Sequence, residues 1–144
     1  NLQTDFWQQN ATSAQINSWR GNAFEELCFN HIPQIKHALG ITQVSTTISK
    51  WTLQGTATTK GSQIDMVIDR ADNIVDLCEM KFSNAPFSID KSYDLTLRER
   101  LQLLSEQLPK RKVPHLVFIT SFGIKQNEYA GLVQADITLD DLFN

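Results

Sequence analysis

This 144-residue sequence is short of several things, and each shortage excludes something. It has two cysteines, Cys28 and Cys78, and neither belongs to a CxxC pair, which argues against a zinc site. Both lie within apolar stretches and are expected to be buried, reduced thiols of a cytoplasmic protein. No apolar run approaches the roughly 20 residues that span a bilayer, so no membrane partner is expected. The opening "NLQTDFWQQN" lacks the basic start and apolar centre of a signal peptide. It also lacks an initiator Met, so the chain is expected to be part of something longer. Positive charge is not in excess either: net charge is −3 and the pI about 5.5. Contact with nucleic acid would have to come from a local basic patch.

What is present is the composition of a globular domain, 41% hydrophobic and 20% charged. Residues 1–17 read as a linker or helical extension, and 18–144 as a single domain. Phe24, Leu27, Cys28, His31, Ile32, Ile35 and Leu39 recur at helical spacing, with Pro33 expected to break the run and Gly40 to end it. The β-branched segment 41–53 reads as a strand, followed by strands at 63–70 and 74–82 around the turn Ala71-Asp72-Asn73. Leu95, Leu97, Leu101, Leu104 and Leu108 mark a helix over 90–107. A strand at 115–122, a short strand and a helical turn capped at Thr138 follow. The order is α-β-β-β-α-β-(β)-α: an α/β fold with a mixed central sheet flanked by helices.

Carboxylates interrupt the hairpin "GSQIDMVIDRADNIVDLCEMK", although strands avoid them. Pairing Arg70 with Ile74 sets Asp65 opposite Glu79 and Gln63 opposite Lys81. Alternation then places Asp65, Glu79 and Lys81 on one face. Ile64, Met66, Ile68, Cys78, Met80 and Phe82 fall on the other. Opposed carboxylates about 5 Å apart share a proton or bind a cation. Oxygen ligands of this kind suit Mg²⁺, and Lys81 could offset charge building on a phosphate. A metal-activated water attacking a phosphodiester is the chemistry such parts support. The alternative is a solvated sheet face, although Val67, Val75 and Leu77 on the same face suggest cover.

Asp65, a gap, then Glu79-Met80-Lys81 on the second strand of a hairpin, after a helix bearing Glu25 in "GNAFEELC", resembles the PD-(D/E)XK nuclease superfamily. That group includes restriction endonucleases and archaeal Holliday junction resolvases. Its restriction-endonuclease-like αβββαβ core matches the order read over residues 18–121. Ile64-Asp65 stands where the family name has Pro-Asp. "WRGNAFEELCFNHIPQIKHALGI", "GSQIDMVIDRADNIVDLCEMKFS" and "ITLDDLF" further resemble the C-terminal domain of prokaryotic AAA-type ATPases of uncharacterised role, found in archaea and Bacteroides-like bacteria. This second resemblance covers nearly the whole chain.

These resemblances imply a metal-dependent endonuclease. Asp65, Glu79 and the Met80 backbone carbonyl would bind Mg²⁺ or Mn²⁺. Lys81 would position water, and Glu25 would act on the metal indirectly or through a second ion. DNA would be the substrate and the missing N-terminal ATPase domain a partner; self-association stays open. No GxxxxGK[ST] occurs, so ATP would bind only the parent protein. Arg98, Arg100, Lys110, Arg111 and Lys112 could contact phosphate, or form a solvated face beside Glu99 and Glu106. Glu25 could instead complement the positive end of its helix. Asp69 is expected near solvent, paired with Arg70 or close to Lys60. Trp19 and Trp51 read as core or interface anchors, His31 as hydrogen-bonded and His37 as surface. The rival reading keeps the fold but makes it an inactive nucleic-acid-binding or regulatory module of the ATPase. An interaction domain of a mobile-element or defence system is a third.

Overall fold

A helix whose inward residues recur every fourth position needs a surface to cover, and Phe24 and Cys28 supply that stripe on α1, Ser13–Phe29. The computed structural model describes residues 13–58 and 60–144. Residues 1–12, the greater part of the expected linker, lie outside the described residues, and 13–17 belong to α1 itself.

The helical run breaks at Asn30-His31, where His31 Nδ1 meets the Leu27 carbonyl at 2.7 Å. Pro33 then sits in the first turn of α2, Ile32–Ala38, where its missing N–H costs nothing. Gly40 ends the helix in the left-handed region, φ 72°. The strand expected from residue 41 starts only at Thr46. The intervening backbone closes turns instead, Ile41 N to Lys36 O and Val44 N to Ile41 O.

Five strands follow in one sheet, ordered as in the chain: β1 Thr46–Leu53, β2 Ser62–Arg70, β3 Ile74–Lys81, β4 Val113–Thr120 and β5 Ala135–Thr138. β1, β2 and β3 are antiparallel; β3, β4 and β5 are parallel. The long α3, Lys91–Gln107, joins β3 to β4, as a parallel crossover requires. Asp90 caps it by accepting from Tyr93 N at 2.8 Å. Thr138 and Asp141 form a capping box at the start of α4, Leu139–Phe143. The chain is thus a mixed α/β fold, its sheet flanked by helices.

Each sheet face has its own core. Met66, Ile68, Cys78, Val117, Ile119 and Ile137 pack against α1, α2 and α4. Val67, Val75, Leu77, Leu116 and Phe118 pack against Leu97, Leu103 and Leu104 of α3. Both thiols stay free and buried, and burial pushes Cys28 up to about 12. Two expected anchors differ. Trp51 is partly buried against the α3-side core, whereas Trp19 is 52% exposed. Leu95 also faces outward at 59% exposure, because the sheet-facing stripe of α3 runs through Tyr93, Leu97, Arg100 and Leu104.

Candidate functional site

The hairpin register is the one its turn dictates. Asn73 takes φ 69°, a left-handed turn conformation Asn tolerates, and the ladder runs from Asp69↔Val75 to Met66↔Cys78. One step further sets Asp65 opposite Glu79, but the ladder stops short of them. β2 continues to Ser62 beside β1, and β3 continues to Lys81 beside β4. The acids therefore stand where two strands fork.

A bulge decides which way Asp65 points. Ser49 pairs with Val67 and Trp51 with Ile64, so Lys50 alone faces both Asp65 and Met66. An extra residue of this kind breaks the alternation of its strand and re-aims a side chain. Ile64, expected beside Met66, consequently packs on the α3 side with Val67, while Met66 stays on the α1 side. Asp65 is exposed and hydrogen-bonded to the Glu25 carboxyl of α1. Lys50 lies on that side too, its ammonium 5.6 Å from the Phe29 ring.

Glu25 thus lies far from the N-terminal end of its helix, twelve residues after Ser13, and complementing the helix dipole is not its role. Partial burial, the hydrogen bond it donates to Asp65 and the charge of Asp65 push its carboxyl above the ordinary range, against the pull of Lys50 and Lys81. Two carboxyls in contact need a proton or a cation between them. As a donor set, the pair fits a hard divalent ion.

Glu79 faces the other core. It accepts from the Tyr93 hydroxyl at 3.3 Å and forms an ion pair with Arg100, both on the inward stripe of α3. Its side chain is 12% exposed, and burial raises its carboxyl above the ordinary range despite Arg100, Lys81 and Tyr93. Lys81 stands between the two groups, its charge acting on both Glu25 and Glu79. The ammonium lies 5.0 Å from the Tyr93 ring centre and 5.8 Å from that of Phe87, within cation–π reach. The Met80 backbone belongs to the end of β3, in register with Ile119 of β4.

The hairpin face expected to present Asp65, Glu79 and Lys81 together is therefore split. Asp65 joins Glu25, Glu79 joins Arg100, and Lys81 bridges them electrostatically. Among the described residues no group of three His, Cys, Asp or Glu is close enough to hold a metal ion.

The expected basic patch is divided as well. Arg98 pairs with Asp94 at 3.0 Å on the outer face of α3. Lys110, Arg111 and Lys112 precede β4 beside the hairpin turn, Val113 N bonding Asn73 O. Five residues of strand, about 16 Å, separate that end from Glu79. Lys112 is also engaged, pairing at 2.6 Å with Asp69, the acid expected beside Arg70 or Lys60.

Sequence reasoning missed Tyr93 and Lys50 and left Arg100 on the surface. The spacing of Tyr93, Leu97, Arg100 and Leu104 carries the signal for two of them. Nothing in the sequence announces the bulge that pairs Lys50 with Asp65.

No known family profile matches the sequence, and no curated protein sequence matches it. In fold the chain is similar to a crystallised protein of unknown function, AF1548, at 17% identity and a TM-score of 0.53. The match covers 81% of this chain and 64% of that one, and it supports the α/β architecture built above.

Proposed function

We propose that this chain is a metal-dependent nuclease-like domain hydrolysing DNA phosphodiesters, the C-terminal part of a longer, cytoplasmic ATP-binding protein. The observation that carries the reading is the contact between the Glu25 and Asp65 carboxyls at the forked end of the hairpin, with Lys81 and Glu79 alongside. Hydrogen-bonded acids at the rim of a sheet are costly for folding alone, and perturbed carboxyls in a cluster favour a functional role. The αβββαβ order and the resemblance to PD-(D/E)XK nucleases point the same way.

Asp65 and Glu25 would hold Mg²⁺ or Mn²⁺, and Glu79 and the Met80 carbonyl would join them only once Glu79 leaves Arg100. When bound, the ion supplies Lewis acidity toward the phosphate and lowers the pKa of a bound water. The chain's own residues do the rest. Lys81, held over Tyr93, places a positive charge where negative charge grows on the phosphate. Tyr93 fixes the rotamer of Glu79 by donating its hydroxyl hydrogen. Phe87, itself stacked on Phe118 at 5.8 Å, also supports the Lys81 stem.

Incubation with plasmid and branched DNA plus Mn²⁺ tests the reading, beside Glu79→Ala. Loss of cleavage in the variant by about 100-fold or more is expected, since even partners supporting a metal ligand are worth 10–100-fold. Equal cleavage by both proteins, or none from the full-length parent under any divalent metal, would refute catalysis.

One observation favours the rival, an inactive nucleic-acid-binding or regulatory module: Glu79 already has a cationic partner in Arg100. That reading expects no heat from metal titration and an ATPase rate in the parent that changes when this domain is deleted.

A further inference from the structure

Arg100 faces two ways. Toward the sheet it forms the ion pair with Glu79; toward solvent it lines a cavity of about 300 Å³ between α3 and the loop entering β2. Lys60, Ser62, Thr96 and Glu99 line the same cavity. Lys60 is exposed, and the Ser62 Oγ atom is buried with no hydrogen-bond partner among the described residues. Gly61 between them has no room for a side chain. A Cβ there would stand 2.7 Å from the Leu53 carbonyl oxygen and 2.8 Å from Gly55 N, so the neck of the loop closes on bare backbone. The cavity thus offers two cationic groups and an unsatisfied hydroxyl, against the single carboxylate of Glu99.

Resting on the nuclease reading, we propose that this cavity takes one phosphate of the phosphodiester strand, and that its arrival draws Arg100 away from Glu79. Arg100 is then a latch, which holds Glu79 out of the cation site until substrate is present. The guanidinium cannot lose its charge, and phosphate offers it the bidentate geometry it favours as an alternative to Glu79. Lys60 and the Ser62 hydroxyl supply the remaining contacts. Cation and strand then bind cooperatively, and each must strengthen the other by the same factor. Arg100 is a positioning residue, acting through Glu79.

Calorimetric titration of Mn²⁺ into the protein tests this, with and without a phosphorothioate-linked hexanucleotide that resists cleavage. Deoxyribose and ribose versions of the hexanucleotide distinguish which strand supplies the phosphate. The wild type should bind Mn²⁺ about tenfold more tightly with the hexanucleotide, within the usual range of coupling between sites. Arg100→Gln should bind Mn²⁺ tightly in both conditions. Lys60→Ala, at an exposed position, should keep the wild-type affinity without the strand and lose the enhancement. Equal Mn²⁺ affinity in wild type and Arg100→Gln, with no response to the strand, overturns the latch and leaves the nuclease reading standing. Absence of Mn²⁺ binding in every protein and condition overturns both.

Discussion

The two ends of one hairpin treat their acids in opposite ways. At the turn, Arg70 bonds Asp72 at 2.7 Å and Asp76 at 3.2 Å, while Lys112 takes Asp69 at 2.6 Å. Those contacts fasten β2, β3 and the approach to β4 to one another. At the fork, Glu25 and Asp65 are held carboxyl to carboxyl, and Glu79 is buried behind Arg100. At the turn three acids share two cations, and each acid has a cationic partner because the contacts there serve the fold. At the fork an acid pair is tolerated where the ladder has ended and strand pairing no longer depends on it, and such a locally unfavourable arrangement is where function tends to sit.

Breaking the turn end should produce the largest stability effect. Asp76 is 1% exposed, and its Oδ1 has no hydrogen-bond partner among the described residues. Arg70→Ala would leave that carboxyl buried without its cation, costing about 3–5 kcal/mol by the usual penalty for half of a buried pair. Urea unfolding would measure it, and a loss under about 1 kcal/mol would mean that the turn end does not clamp the strands together.

At the fork the corresponding change should act with the opposite sign. Glu25 has a carboxyl pKa raised in the folded state, so its protonated form stabilises the fold. That contribution is fully present below the unfolded value, about 4.5, and is lost as pH rises through the folded one. Glu25→Gln mimics the protonated acid. Its melting temperature should match the wild type near pH 4 and exceed it increasingly toward pH 8. Addition of Mg²⁺ or Mn²⁺ should close the gap by stabilising the wild type alone. A gap that is constant across the range would show that the two carboxyls are not in contact.

Smallest is the expected effect of Lys112→Ala. Asp69 keeps a third of its side chain exposed, at 32%, so the lost pair should cost at most about 1 kcal/mol. Mn²⁺ affinity should not move, because this pair lies at the far end of the strands. A changed affinity would mean that the two ends communicate.

Much of the architecture was legible. Asn73 and the flanking apolar runs fix the turn and register of the hairpin, since pairing outward from a turn leaves no freedom until the strands part. Asp90 and Pro109 bracket α3 for equally local reasons. The site was less legible. Strict alternation placed Asp65 and Glu79 on a common face, and the bulge opposite Lys50 undid that. Arg100 looked like part of a solvated face because Glu99 and Glu106 lie nearby in the sequence, yet it shares the inward stripe with Leu97 and Leu104.

By itself, then, the sequence determined the order of elements, the hairpin register and the presence of acids beside a lysine, because turns, caps and periodicity act between near neighbours. Only the tertiary structure decided which acid meets which partner. That choice depends on a bulge in the pairing of β2 with β1 and on a stripe of α3 against the sheet, contacts between residues far apart in the chain.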